Sequence, residues 1–205
     1  NSYFNTQITA HNIVSSWSGV RPLIAQNKKA SALSRDYSYE MHSNPAPLIS
    51  ILGGKITTYR QLAEEVIDQL TPFFPSLKKS ITKNTPLPGA SLRSMDFTQY
   101  IVYAQQQYHW LPQQLLNRYM YTYGTNTELI LAGCSNTESM GQHFAADLYQ
   151  VELDYLIQHE GAQSSDDVLM RRTKLGLALK PEERELIQAY IEAKIIARKS
   201  NQAQL

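Results

Sequence analysis

Leu48-Ile49-Ser50-Ile51-Leu52-Gly53-Gly54-Lys55-Ile56-Thr57-Thr58-Tyr59-Arg60 is the stretch from which the rest of this 205-residue sequence is read. Leu48 to Leu52 is a short, nearly continuous apolar run following Pro45 and Pro47. That is the pattern of a strand covered on both faces. Gly53 and Gly54 give the backbone conformations and close approaches that a side chain would block. Thr57 or Thr58 then caps a helix over 58–70 whose apolar face is Tyr59, Leu62, Ala63, Val66, Ile67 and Leu70. A helix N-terminus presents free N–H groups and positive potential, and Lys55 adds a charge beside it. The residues suit an anion, but a plain strand-to-helix connection has the same signature, and spacing alone leaves both open.

Working outward, residues 35–42 (with tyrosines at period two) and 47–52 are expected to form a hairpin about Ser43-Asn44-Pro45. Residues 1–10 resemble the end of a helix, 12–17 a strand, and 24–33 a polar loop. Four of the nine prolines fall within 71–95, which marks a connection between domains. Beyond it nearly everything has helical period. Asp96 caps a helix carrying Phe97, Tyr100, Ile101, Ala104 and Tyr108. Pro112 opens the next, with Leu115, Leu116, Tyr119 and Tyr123 inward and Gly124 as its stop. A short helical turn spans 127–131. Further helices are expected over about 141–159 (Phe144, Ala145, Leu148, Tyr155 and Leu156 inward), 166–177, and from Pro181, with Leu186, Ile187, Tyr190, Ile191 and Ile195 as the buried stripe and a frayed tail from Ser200. The expected fold class is α+β, mainly α: a small β-rich part followed by an all-helical domain. The expected division is 1–75, a connection at 76–95, and 96–205.

Composition narrows the function classes. A single cysteine, Cys134, excludes an internal disulfide and any cysteine-cluster metal site. No run approaches the roughly 20 apolar residues of a membrane span. The opening Asn1-Ser2-Tyr3-Phe4, without an initiator Met, suggests a piece of something longer. Net charge is +1, but residues 1–60 hold six Lys/Arg against two Asp/Glu, +4, leaving −3 for the remainder. The basic residues are too few and scattered for a nucleic-acid surface, and their position near the glycine turn favours a small anion. His143 and His159, if on one helix, point about 160° apart and share no metal; no metal site is expected. Arg171, Arg172 and Lys174 are expected on a solvated face or paired to acids. Arg21, Arg35 and Lys55 differ, because each sits among turn and strand residues where acids are scarce. Two arginines and a lysine can grip a phosphate.

Trp17-Ser18-Gly19-Val20-Arg21-Pro22-Leu23, Ser34-Arg35-Asp36-Tyr37 and Gly53-Gly54-Lys55-Ile56-Thr57-Thr58-Tyr59-Arg60 resemble, in order and spacing, the FAD-dependent (aerobic, quinone-linked) glycerol-3-phosphate dehydrogenases. Leu87-Pro88-Gly89, Tyr123-Gly124 with Glu128-Leu129, Glu152-Leu153 with His159-Glu160, and the segment 166–173 extend the likeness over nearly the whole chain. The family's G-x-G-x-x-G flavin fingerprint is absent, so the resemblance is to the C-terminal portion. It implies that Arg21 binds the substrate phosphate near the reacting carbon and that Arg35 supports substrate or flavin charge. It implies that Gly53, Gly54, Lys55, Thr57 and Thr58 approach the flavin and the substrate, that Lys55 also binds substrate, and that Arg21 and Lys55 are the catalytic pair. FAD, glycerol 3-phosphate, quinone, a homodimer and a cytoplasmic enzyme peripheral to the inner membrane are the implied cofactor, partners and setting. Most of the FAD site would lie upstream, so this portion alone is expected neither to turn over nor to retain FAD. A glycerol-3-phosphate oxidase using oxygen shares these motifs. A helical interaction module without chemistry is the reading from a different class.

Overall fold

A computed structural model describes residues 5–20, 23–24 and 36–202, with side chains described through Ser200. The chain forms two compact units: Ser16–Pro86, and Leu87–Leu205 together with Asn1–Ser15. The architecture is mainly α, as the periodicity predicts, with two small two-stranded antiparallel sheets, of which only the first is expected from the sequence.

In the first unit, β1 (Ser38–His42) and β2 (Leu48–Leu52) form the expected antiparallel hairpin, in the register Ser38 to Leu52, Glu40 to Ser50 and His42 to Leu48. The expectation that β2 is covered on both faces fails. Leu48, Ile51 and Leu52 are 59, 48 and 40% exposed, because among the described residues the hairpin pairs only with itself, and an apolar run records a need for cover without supplying it. Gly53 and Gly54 follow at φ +71° and +119°. A 3-10 turn over Ile56–Thr58 then leads into α1 (Tyr59–Leu70). Neither threonine caps α1 through its side chain. The 3-10 turn occupies that place, and the Thr58 hydroxyl donates instead to the Lys55 carbonyl at 3.1 Å. No residue of α1 is buried.

The other unit holds the core. Here α2 (Phe97–Gln107) starts on a reciprocal cap: Gln99 N–H donates to Asp96 Oδ1 at 2.8 Å, and Asp96 N–H to Gln99 Oε1 at 3.0 Å. It buries Tyr100 and Ala104, while α3 (Gln113–Tyr123) buries Leu115, Leu116, Tyr119, Met120 and Tyr123. Gly124 ends α3 at φ +55°. A Cβ there would strike the Gly89 carbonyl oxygen, and a Cβ on Gly89 would come within 2.5 Å of the Tyr123 carbonyl oxygen. Two glycines thus let Leu87-Pro88-Gly89 cross the end of α3, locked by Thr125 N–H donating to Gly89 O at 2.9 Å. The short α4 (Thr127–Ile130) follows.

Two helical expectations are corrected here. Residues 141–149 form β3 (His143–Ala145) and β4 (Leu148–Tyr149), and only Gln150–His159 is helical, as α5. Phe144, Ala145 and Leu148 fit either period, and positive φ at Gly141 and Ala146 turns the chain into a hairpin. Gln150 N–H donates to Gln142 O at 2.9 Å and closes it. His143 therefore shares no helix with His159. Residues 167–172 are a π-helix, Lys174 breaks it at φ +63°, and Leu175–Leu177 is a 3-10 turn. The five-residue spacing is fixed by Thr173, whose N–H and hydroxyl both donate to the Val168 carbonyl, at 3.0 and 2.7 Å.

Pro181 opens α6 (Pro181–Gln202), which runs beyond the fraying point expected at Ser200. Ile187 and Ile191 are buried, but Leu186 is 47% exposed, because the helix is rotated to set 187, 191 and 195 against the core. At the N-terminal end, 12–17 is not a strand, and the helical residues there are a 3-10 turn at Ala10–Asn12.

Candidate functional site

The strand–turn–helix places Gly53, Gly54, Lys55, Thr57 and Thr58 together on one connection, as the sequence predicts. Arg21 and Arg35 lie outside the described residues. At Gly54 an added Cβ would only touch the Tyr37 Cβ at 3.8 Å. Space is therefore not what reserves the position for glycine; the backbone conformation at φ +119° is. Lys55 starts the 3-10 turn, and its Nζ lies 2.6 Å from Asp36 Oδ1. Both side chains are well exposed, and an ion pair in water is weak enough to be exchanged for another anion. Asp36 is the member of this group that spacing does not reveal, since it lies 19 residues away across the hairpin. Tyr37, beside it, has its phenol pushed up by burial and then by a hydrogen bond with Glu65. At the start of α1, Arg60 Nη1 donates to Glu64 Oε2 at 2.5 Å and to Thr82 Oγ1 at 3.3 Å. Arg60 is thus committed within its own unit, while Lys55 is held loosely.

The helical unit contains a second concentration of charge. Arg118 makes a bidentate pair with Glu152, Nη1 to Oε1 at 2.7 Å and Nη2 to Oε2 at 2.6 Å, and Nη2 also donates to the Asp147 carbonyl at 2.7 Å. Tyr123 donates its hydroxyl to Glu152 Oε1 at 2.5 Å, and the guanidinium lies 4.8 Å from the Tyr119 ring centroid. Glu152 has no exposed surface. Burial opposes the Arg118 charge, but the bond and attraction to Glu152 outweigh it and hold the guanidinium protonated. Burial, then the Glu152 charge, pushes the phenols of Tyr119 and Tyr123 up.

Glu128 anchors a smaller cluster, accepting from the Tyr100 hydroxyl at 2.5 Å and from Arg93 Nη2 at 2.9 Å. Arg171 pairs with Asp167 and Arg172 with Glu160, at 2.8 and 3.1 Å, as expected of these arginines. Every one of these acids is consumed by a neighbour. The networks join α2, α3, α4 and α5 and contribute cohesion. The signal for the buried pair was a charge of each sign on the inward face of an amphipathic helix, Arg118 among Leu115 and Tyr119, and Glu152 among Tyr155 and Leu156. Among the described residues no group of three His, Cys, Asp or Glu side chains is placed to hold a metal.

Together these features define a strand–turn–helix with an exposed lysine at its glycine turn, and a helical C-terminal domain that holds the core. The family described as the C-terminal domain of alpha-glycerophosphate oxidase matches residues 80–200, and the chain belongs to it. It is 36% identical over 194 residues to the aerobic glycerol-3-phosphate dehydrogenase of Escherichia coli, covering 93% of this chain. It is 38% identical over 198 residues to a glycerol-3-phosphate dehydrogenase of Pseudomonas aeruginosa, covering 94% of this chain. Against the D-erythritol 1-phosphate dehydrogenase of Brucella abortus it is 36% identical over 200 residues, covering 96% of this chain. The chain spans only 38–40% of the length of these relatives. They agree with the family that the ordered motifs resemble.

Proposed function

We propose that the chain is the C-terminal portion of an FAD-dependent enzyme that oxidises sn-glycerol 3-phosphate to dihydroxyacetone phosphate and passes the electrons to quinone. The observation that carries this is the Gly53-Gly54-Lys55 turn, its two glycines at positive φ and its chain running into α1, in a chain similar along nearly its whole length to glycerol-3-phosphate dehydrogenases. Residues 1–75 belong to the flavin and substrate region, 76–95 connect, and 96–205 form the helical domain.

FAD fits what this turn offers. The first N–H groups of a helix lack intrahelical acceptors, and two glycines carry no side chain that would keep a flat ring away. When bound, FAD supplies the hydride acceptor. Gly53, Gly54, Thr57 and Thr58 would approach it through backbone and hydroxyl groups. Lys55, released from Asp36, and the positive end of the helix would stabilise negative charge developing at the ring edge and on the substrate. Arg21 would hold the phosphate bidentately, and Arg35 would balance substrate or flavin charge. The remaining flavin and substrate groups belong to the longer protein, so residues 1–205 alone neither turn over nor retain FAD. The helical domain serves as a support and contact surface, with a second copy as its partner. The enzyme is cytoplasmic and peripheral to the inner membrane; among the described residues no helix is long and apolar enough to cross a membrane.

The family description favours a second acceptor, oxygen, and the Brucella relative favours a longer polyol phosphate. Substitution of Arg21 and of Lys55 by alanine in the full-length protein tests the site. Turnover of glycerol 3-phosphate with a quinone, with oxygen, and with erythritol 1-phosphate distinguishes the readings. Near-normal turnover in both variants would remove Arg21 and Lys55 from the site. Faster turnover with oxygen than with quinone would replace the acceptor.

A further inference from the structure

The residues just before β1 run alongside the glycine turn. In the hairpin Ser38 stands opposite Leu52, and a Cβ added to Gly54 would touch the Tyr37 Cβ at 3.8 Å. Asp36 and Tyr37 are thereby level with Gly53 and Gly54. Tyr37 is also tied to α1, through a hydrogen bond with Glu65. The hairpin on one side and α1 on the other set where residue 36 stands, independently of Lys55.

Lys55 is held differently. Its backbone is extended, at φ −116° and ψ 142°, where the 3-10 turn begins, and its ammonium sits at the end of a flexible four-carbon stem. That ammonium lies 2.6 Å from Asp36 Oδ1, with the lysine side chain 43% exposed. The pair therefore has a placed end, the carboxylate, and a mobile end, the ammonium. An anion that enters the turn meets a lysine already neutralised, and gains it only by outcompeting Asp36. Because the pair exists in the empty site and not in the occupied one, its strength is subtracted from binding. An unguarded lysine beside the start of a helix would collect stray phosphate. Asp36 occupies it until an anion with further contacts to the site arrives.

We propose that Asp36 sets the affinity of this site for phosphate esters, as the resident counter-ion of Lys55 that a bound anion displaces. This rests on the proposed role of Lys55 in meeting substrate, and adds to it the residue against which substrate competes.

The test uses the full-length, FAD-loaded protein, with dihydroxyacetone phosphate as the probe, binding read by calorimetry and folding by melting temperature. Asp36→Asn is expected to bind the probe about threefold tighter, the scale of an exposed ion pair. It should lower KM for glycerol 3-phosphate by the same factor, with kcat and melting temperature unchanged. Asp36→Glu keeps the charge and should bind as the parent does. Crystal structures should show the pair intact without the probe, and the ammonium more than about 4 Å from Asp36 with it. A pair that persists in the presence of the probe, or Asp36→Asn binding no tighter than the parent, would overturn the exchange while leaving Lys55 in the site. Equal tightening by Asp36→Glu would overturn it as well, since the effect would then not be one of charge. Lys55→Ala binding the probe as the parent does would instead remove Lys55 from the site, and the exchange with it.

Discussion

The two units divide the labour of the molecule unequally. Among the described residues, all of the buried apolar side chains, and the buried Thr127 and Glu152, lie between Tyr100 and Ile191. Across the described part of Ser16–Pro86 no residue is fully buried, and Ile51, Ile56, Tyr59, Ile67 and Phe74 are all more than 40% exposed. Yet the glycine turn, with the residues proposed to meet flavin and substrate, belongs to this second region. A hairpin of ten strand residues and one amphipathic helix bury too little apolar surface to offset their ordering entropy. The helical unit spends its charges on itself, in networks around Glu152, Glu128 and Glu160. In the other unit Lys55 is held, among the described residues, only by an exposed pair with Asp36. One region is organised for cohesion, and the other carries the residues proposed to meet flavin and substrate.

The largest effect is expected at Glu152. Glu152→Ala strands Arg118 and the Tyr123 hydroxyl in the core, and breaking a buried pair by removing one partner costs about 3–5 kcal/mol. Amide exchange should show lost protection in α2, α3 and α5 while β1 and β2 exchange as before. Equal loss in the hairpin would show that the two regions are not energetically separate. A smaller effect, about 1–3 kcal/mol, is expected for Gly124→Ala. Its Cβ would meet the Gly89 carbonyl oxygen, in a backbone conformation that only glycine adopts readily. A melting temperature equal to the parent's would show that the crossing of Leu87-Pro88-Gly89 over α3 is not fixed as described.

The smallest effect is that of pH. Burial pushes the Glu128 carboxyl up, but bonds from Tyr100 and Arg93 outweigh it and hold it below the usual range. Asp167 is held down by the Gln163 N–H and, against its burial, by Ser164. Acids with lowered folded values contribute stability that is present above their unfolded values, near 4, and is lost as pH falls through the folded ones. Melting temperature should therefore hold from pH 7 to 5 and decline below about pH 4, with Glu128→Gln showing a shallower decline. A flat profile down to pH 3 would contradict these two assignments.

Much of the helical unit was legible because its signals are local. The Asp96 cap, Pro112 and Gly124 at the ends of α3, and the 3.6-residue stripe of α2 and α3 each depend on a few neighbouring residues. Residues 141–149 were not, since Phe144, Ala145 and Leu148 satisfy both periods and the deciding events are positive φ at Gly141 and Ala146. The exposure of β2 was hidden for a different reason. Burial depends on what packs above a strand, and an apolar run cannot name its cover. In the site, Gly53 and Gly54 were visible as backbone requirements, whereas Asp36, the partner of Lys55, is set by the hairpin register.

The central claim is that Lys55 belongs to the reaction and not to the fold. It is tested most directly by the steady-state kinetics of Lys55→Ala in the full-length protein, at matched FAD content and alongside its melting temperature. Loss of one preorganised charge at a developing anion predicts a fall of about 100-fold in kcat/KM with an unchanged melting temperature. Near-parent kcat/KM, or a loss that tracks unfolding, would contradict it.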